Sequence, residues 1–291
     1  MSLDPEIKSR IEKEVGTKII SISPLSGGCI SDAYKIETLS NQKYFLKTNS
    51  LSSDDMFIKE AHGLKELNKP NAIKIPEVLL YDRSFLLTEF ISQGSRSKSF
   101  FEDFGRKFAD LHKFKNSEFG FYEDNYIGSN IQPNIAEGFE KTNWTQFYFN
   151  KRLLYQFKLA EKNGYAAQEL RNGFSKLESM IETILNGSQE EPSILHGDLW
   201  SGNYLINNNG EACLIDPAVY YGHREADLAM TKLFGGFNPV FYEAYNEYYN
   251  LSDGYEYREA IYKLYHVLNH LNLFGHGYYS QALSLIHIYT R

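Results

Sequence analysis

Cysteine and long apolar runs are scarce in this sequence. Its two cysteines, Cys29 and Cys213, are too few for a disulfide framework or a spaced metal-binding cluster, which suits a reducing compartment. No apolar run approaches the roughly 18 to 20 residues that a membrane span needs. The first ten residues, MSLDPEIKSR, also lack the apolar stretch of a signal peptide. We therefore expect a cytoplasmic protein.

Dense blocks of one charge are also missing. The net charge is -7 and no cluster of lysine and arginine stands out, so we expect neither a nucleic-acid partner nor a membrane partner. Hydrophobic and aromatic residues are abundant: 42% of the 291 residues are hydrophobic, and the chain has 22 Tyr and 20 Phe. That content is enough for a substantial core in one large domain or two lobes.

The periodicity of apolar residues changes along the chain. Five β-prone segments are bounded by turn residues, at 19–22, 32–38, 43–47, 77–82 and 84–90. The pattern at 54–67 predicts a helix, and so do the patterns at 100–114, 143–163, 167–186, 224–234, 238–250 and 256–274. We predict an α+β fold with a small antiparallel-sheet lobe over 1–91 and a mainly helical lobe over 92–291.

The segments HGDLWSGN (196–203) and IDP (215–217) carry the strongest chemical signal. Asp198 and Asn203 have the D-x-x-x-x-N spacing of the protein-kinase catalytic loop, and Asp216 opens the next turn as the D-F-G aspartate does. Phosphoryl transfer needs a carboxylate to orient and deprotonate the attacking hydroxyl, and oxygen ligands for Mg²⁺. We predict Asp198 as the base and Asn203 and Asp216 as metal ligands. Each residue alone would also fit a buried turn cap.

Weaker signals upstream fit an ATP site. Lys47 ends a β-prone run and Glu60 lies on the following predicted helix, a pairing that can hold the lysine against phosphates. A surface salt bridge is the alternative. Glu89 and Phe90 end the segment LLTEF, and by position alone their backbone groups could bind adenine.

The glycine-bearing segment 25–36 could form a hairpin over the phosphates. Gly27 and Gly28 would permit close approach of the backbone, although the full G-x-G-x-x-G is missing and an ordinary turn is the alternative. Cys29 lies in the same segment, where oxidation could block nucleotide binding. An inert small residue is the other interpretation.

The chain resembles the fructosamine kinases, also called ketosamine 3-kinases, which are relatives of the aminoglycoside and choline kinases. The resemblance covers nearly the whole chain and rests on LSGGCIS (25–31), FLK (45–47), NYIGSNIQPN (125–134), Trp144 with RL (152–153), LHGDLWSGN (195–203), IDPAVYYGHREADLAMTKLFGGF (215–237) and NHLNLFG (269–275). It implies Mg²⁺- and ATP-dependent phosphorylation of the sugar 3-hydroxyl of ketosamines, free or protein-bound, in deglycation.

Candidate acceptor-binding residues follow from position. Trp200 could form a wall for the sugar or pack in the core, and Asn125 with Tyr126 could lie on an acceptor rim or a plain connecting loop. His270 could contact substrate or serve in packing. Glu225 fits the resemblance, whereas its neighbour His223 stands where an acidic residue is expected.

Two other functions remain open on the sequence. An aminoglycoside- or choline-type kinase would share the catalytic residues, and a catalytically silent nucleotide-binding module could share the fold. The retained base, metal ligands and lysine–glutamate pair argue against silence. The preferred sugar and amine, and the oligomeric state, are not indicated.

Overall fold

The computed structural model describes residues 3–25, 32–48, 55–187 and 189–291. The chain divides into two compact units. The first takes the residues up to Phe100 together with Tyr204–Asp216, and the second takes Phe101–Asn203 with Pro217–Arg291. No helix in the described ranges is both long and apolar enough to cross a membrane.

The first unit is built on a five-stranded antiparallel sheet. Its strands are β1 (Ile19–Leu25), β2 (Asp32–Thr38), β3 (Lys43–Thr48), β4 (Val78–Tyr81) and β5 (Phe85–Glu89). The order is β1-β2-β3-β5-β4, so the predicted antiparallel strands are confirmed and the β4–β5 hairpin places β4 at the edge. Alternate residues of the strands face helix α1 (Pro5–Val15) and form a core with it. The buried residues of this core include Ile11, Ile36, Leu46, Phe85 and Leu87.

Helix α2 (Met56–Asn68) and a second hairpin complete this unit. The hairpin joins β9 (Tyr204–Ile206) to β10 (Ala212–Leu214). Backbone hydrogen bonds from Leu214 N–H to the Lys74 carbonyl (3.0 Å) and from Gly94 N–H to the Ile206 carbonyl (2.9 Å) fasten it. They bring the end of β10, and hence Asp216, into the unit that carries Lys47.

The second unit is mainly helical, as predicted. Its helices are α3 (Phe100–His112), α4 (Trp144–Tyr148), a π-helical turn (Phe149–Leu154), α5 (Tyr155–Lys162), α6 (Gln168–Ile184), α7 (Arg224–Thr231), α8 (Pro239–Tyr248), α9 (Tyr255–Phe274) and α10 (Tyr279–Thr290). Helix α10 was not predicted, because its run of apolar and β-branched residues has no clear helical period. It packs along α6 and α9, and such tertiary contact overrides weak local propensity.

Two short antiparallel pairs of strands interrupt these helices. Strands β6 (Asn125–Ile127) and β7 (Asn130–Gln132) pair with each other, and β8 (Ser193–Leu195) pairs with β11 (Tyr220–Gly222). The segment interpreted as a connecting loop at 125–134 therefore contains a small antiparallel hairpin. Strand β8 leads directly into the loop that carries Asp198.

Candidate active site

Lys47, Glu60 and Asp216 form a partly buried ionic group in the first unit. The Lys47 Nζ donates to Glu60 Oε1 at 2.7 Å and also to Asp216 Oδ1. Because neighbouring side chains of a strand alternate, Lys47 on β3 points away from the core that buries Leu46. Sequence reasoning predicted the lysine–glutamate pair, and the structure adds the aspartate to it.

The surroundings keep Lys47 charged. Burial lowers the pKa of Lys47, but attraction by Asp216 and then Glu60 outweighs it, so the pKa is raised above its ordinary value. One ammonium thus faces two carboxylates. The Lys47 side chain is only 12% exposed, whereas that of Asp216 is 46% exposed, so part of the aspartate remains open to a ligand.

Asp216 has an unusual backbone conformation. Its φ of 54° lies in the left-handed region, which non-glycine residues seldom adopt and aspartate tolerates better than most. Such conformations persist when the surrounding structure enforces them, and they cluster at functional sites. Here the turn follows strand β10 and carries the carboxylate towards Lys47.

The residues predicted to contact adenine lie within the described part of the chain, whereas those predicted to contact phosphate do not. Glu89 N–H already donates to the Glu77 carbonyl at 2.8 Å, and its side chain accepts from Lys74 Nζ, so these groups of Glu89 are occupied by protein contacts. Phe90 follows the last residue of β5 and is partly buried. Gly27, Gly28 and Cys29 lie outside the described residues.

Asp198 and Asn203 are joined in the second unit. The Asn203 Nδ2 donates to the backbone carbonyl of Asp198 at 2.8 Å and to its Oδ2 at 3.2 Å. The five-residue spacing therefore closes a turn in which the amide holds the carboxylate. That leaves the Asn203 amide oxygen as an atom of the kind that Mg²⁺ binds.

Asp227 supports the backbone that precedes Asp198. Asp227 on α7 is 1% exposed and accepts from the N–H groups of His196 (2.7 Å) and Gly197 (2.8 Å). Burial alone would raise the pKa of Asp227, but the hydrogen bond from His112 and neighbouring positive charge outweigh it and lower the pKa. Gly197 has φ of 80°, and a Cβ there would lie 2.0 Å from the Ala218 carbonyl oxygen. Sequence reasoning assigned Asp227 no role, and no local signal sets it apart from Arg224 and Glu225, the other charged residues of α7.

The rings of Trp200 and His270 both contact the ring of Phe234. The ring centroid of Phe234 lies 5.7 Å from that of Trp200 and 5.0 Å from that of His270. The Trp200 indole lies over Gly202, where a Cβ would be only 2.5 Å from the ring. Two of the predicted acceptor-site residues are therefore brought together beside the catalytic loop.

Comparison with known proteins places the chain in a family. The model of the fructosamine kinase family matches residues 3–291. The chain belongs to the fructosamine kinase family. It is therefore a phosphotransferase that uses ATP, and the resemblance stated from its motifs is confirmed.

Named relatives and solved structures agree with this membership. A protein of rice (Oryza sativa subsp. japonica) named "Protein-ribulosamine 3-kinase, chloroplastic" is 40% identical, over 94% of this chain and 80% of the relative. A Vibrio parahaemolyticus protein named "Probable ketoamine kinase" is 39% identical, over 89% of this chain and 88% of the relative. A crystal structure from Thermobifida fusca described as a fructosamine-3-kinase has a TM-score of 0.88 at 28% identity, covering 97% of both chains.

More distant structures show the fold. An ADP-bound aminoglycoside phosphotransferase has a TM-score of 0.63 at 17% identity, over 99% of this chain and all of that one. The predicted protein-kinase-like α+β fold is thereby confirmed.

In this fructosamine kinase, Asn125 is engaged by the protein itself. Its Nδ2 donates to the Val219 carbonyl at 2.8 Å, and its Oδ1 accepts from Gln132 (2.9 Å) and Asn134 (2.8 Å). Asn125 is 5% exposed, and Tyr126 beside it is partly buried. These contacts favour a role for Asn125 in fastening the hairpin to the segment after Asp216.

Glu225 is also held inside the second unit. Its two carboxylate oxygens accept from Arg258, Oε1 from Nη2 at 2.6 Å and Oε2 from Nε at 2.8 Å. Both side chains are less than 5% exposed. The arrangement is a bidentate ion pair of the strong kind, so it favours a structural role over contact with an acceptor.

His223 is fully buried and caps helix α7. Its Nδ1 accepts from the Glu225 N–H, and its Nε2 is buried without a hydrogen-bond partner among the described residues. Burial, opposed by Glu225 and Glu190, lowers the pKa of His223 from 6.5 to about 4. The unfolded chain consequently binds a proton between these pH values that the folded chain does not.

We predict that His223 makes folding sensitive to acid. Because its folded pKa is depressed, stability is lost as pH falls from 6.5 towards 4, by about 1.4 kcal/mol per pH unit for one proton. Asn keeps a capping oxygen without titrating, so His223→Asn should flatten this slope. Urea unfolding at several pH values measures it, with the exposed His276→Asn as control. An unchanged slope in His223→Asn would contradict the prediction.

Proposed function

We propose that this enzyme transfers the γ-phosphoryl group of ATP to the 3-hydroxyl of ketosamines, the fructosamine and ribulosamine adducts formed by glycation. The observation that carries phosphoryl transfer is Lys47 held by Glu60 and Asp216, since an ammonium fixed by carboxylates neutralises phosphate charge. The acceptor class is supported by family membership and by the name of the rice relative.

Within this proposal Asp198 is the base. Its carboxylate accepts the proton of the attacking sugar hydroxyl and orients the oxygen towards the γ-phosphorus. Asn203 holds that carboxylate by its Nδ2, and Asp227 fixes the preceding backbone. Such positioning matters because phosphoryl transfer depends mostly on alignment and on electrostatic stabilisation.

Asp216 and Asn203 would hold Mg²⁺. The half-exposed Asp216 carboxylate and the Asn203 amide oxygen are hard oxygen ligands of the type Mg²⁺ takes. When bound, the metal supplies positive charge that offsets the charge of the β- and γ-phosphates. Lys47 and its partners supply the complementary fixed charge from the protein.

Trp200 and His270 fit the sugar. His270 donates its Nδ1 hydrogen to the His266 carbonyl at 2.7 Å, so in the neutral ring the Nε2 lone pair can accept a hydrogen bond from a sugar hydroxyl. The indole offers an apolar face for the sugar ring. Carbon 3 of the product carries the phosphate next to the C2 carbonyl. Loss of a proton from carbon 1 gives an enaminol that expels the phosphate, and water hydrolyses the carbon–nitrogen double bond left at carbon 1, which releases the amine. We propose that this deglycation takes place in the cytoplasm, although the rice relative is named chloroplastic.

The test is ADP release from ATP with a panel of acceptors. Fructosyl- and ribulosyl-amines, aminoglycosides and choline are each assayed with Mg²⁺ and again with excess EDTA. We expect Mg²⁺-dependent turnover on ketosamines alone and phosphate on carbon 3 of the product. Turnover confined to aminoglycosides or choline would replace the acceptor class, and nucleotide binding without turnover on any acceptor would favour a silent module.

A further inference from the structure

Five rings of the second unit form a continuous aromatic surface. Beyond the contacts of Phe234 with Trp200 and His270, the His270 ring lies 5.5 Å from that of Phe274 and 5.1 Å from that of Tyr278, and the last two lie 6.1 Å apart. We call these side chains the ring surface: Trp200, Phe234, His270, Phe274 and Tyr278. They come from the catalytic loop, the segment after α7, and the end of α9 with the turn that follows it.

Two of the five rings are exposed, and the other three are half-buried. Phe274 is 61% exposed and Phe234 is 36% exposed. Exposed rings that touch one another mark binding sites more often than single exposed residues do. Phe139 is a useful contrast, since it is 78% exposed and belongs to no such group of rings among the described residues.

The ring surface is electrically neutral but rich in π electrons. Burial lowers the pKa of His270 and outweighs the hydrogen bond that its Nδ1 donates to the His266 carbonyl, so the imidazole is uncharged at neutral pH. None of the described lysines and arginines lies over these five rings. A surface of this kind attracts an organic cation with apolar substituents and offers nothing to a carboxylate.

The position of the ring surface identifies the ligand. Trp200 is two residues from Asp198, and the contact of its indole with Gly202 keeps the ring at the catalytic loop. A ketosamine carries its nitrogen on carbon 1, two carbons from the 3-hydroxyl that Asp198 would activate. That secondary amine is protonated near neutral pH, so the acceptor presents an ammonium group a short distance from the reacting oxygen.

We propose that Phe234, Phe274 and Tyr278 bind the ammonium group of the acceptor and the substituent on it, and so select ketosamines of apolar or aromatic amines over those of acidic amines. The inference deepens the proposed function and depends on it for the identity of the acceptor. The sugar lies at Trp200 and His270, and the amine extends along the remaining rings. Preference thus arises from cation–π attraction and apolar contact.

The experiment compares two fructosamines that differ only in the amine. One is made from benzylamine and the other from glycine, which carries a carboxylate. In the parent we expect kcat/KM to favour the benzyl compound about tenfold or more, and Phe274→Ala and Phe234→Ala each to reduce that preference about five- to tenfold through KM. Phe139→Ala is the matched control and should leave both compounds unaffected.

A binding measurement separates this inference from the proposed reaction. Benzyltrimethylammonium is titrated calorimetrically into the parent and the same variants, without ATP. Weaker binding in Phe274→Ala but not in Phe139→Ala supports the ring surface even if no ketosamine is phosphorylated, in which case only the proposed function fails. Ketosamine turnover with KM and probe binding unchanged in both Phe234→Ala and Phe274→Ala overturns the ring surface and leaves the function standing. Absence of both turnover and probe binding rejects both.

Discussion

Asp198→Asn should lower kcat for phosphoryl transfer about 10²- to 10⁴-fold, the usual contribution of a general base. The substitution removes charge and basicity but little shape. The amide oxygen of Asn can still accept from the Asn203 Nδ2, which now lies 3.2 Å from Asp198 Oδ2. The backbone carbonyl that accepts from the same Nδ2 is unchanged. Loss of activity would therefore report the missing base and not a collapsed loop.

Steady-state ADP release and direct titration with ATP measure the two parts of this prediction. The Kd for ATP should stay within about twofold, because the proposed partner of the nucleotide's charge is Lys47 and not Asp198. Asp110→Asn is the matched control, since Asp110 in the same unit is a surface carboxylate paired with Lys113. If Asp198→Asn kept more than about a tenth of the parent kcat, another group would have to be the base.

Local spacing accounts for the contact between Asp198 and Asn203. Asp198 and Asn203 are five residues apart, and a turn of that length can bring them together without help from the rest of the chain. The pairing of Lys47 with Glu60 was predicted from a strand followed by a helix, again over a short separation. The contact between Lys47 and Asp216 spans 169 positions, and only the hairpin β9–β10 brings it about.

Other features depend on partners that no local pattern reveals. Asn125 looked like a polar residue of a loop, yet Val219, Gln132 and Asn134 satisfy its amide inside the unit. The backbone of Glu89 was expected to bind adenine, but its N–H and its carboxylate are bonded to neighbouring segments of the protein. A polar side chain is compatible with both exposure and a buried network, and only the folded arrangement of its partners decides between them.

The hydrogen bonds by which Asp227 supports the loop of Asp198 could not be predicted either, because they join residues far apart in the sequence. Asp227 lies 30 and 31 residues from the two N–H groups that it accepts from, and its sequence context is that of an ordinary amphipathic helix. The ring surface shows the same limitation, since its members come from three separate segments. Trp200 and His270 could be proposed individually, whereas the exposed rings that connect and extend them could not.

Glu225→Ala should lower the free energy of unfolding by about 3 to 5 kcal/mol, the usual cost of breaking a buried ion pair. The change leaves the Arg258 guanidinium, 3% exposed, without the carboxylate that accepts two of its hydrogen bonds. The carbonyls of Ser252 and Asp253 that also accept from Arg258 offset only part of the loss. If Glu225 instead served the acceptor, the substitution would raise KM and barely affect stability.

Urea unfolding of the single and double substitutions tests this structural role. Arg258→Met should be destabilising by a similar amount, because it strands the Glu225 carboxylate. The substitutions Glu225→Met and Arg258→Met together remove both charges, and the double variant should recover at least half of the summed loss of these two substitutions made singly, since apolar pairs can replace buried ion pairs at small cost. KM for the ketosamine in any variant that remains folded should match the parent. Additive losses in the double variant, or a KM effect without a stability effect, would contradict the assignment and return Glu225 to the acceptor site.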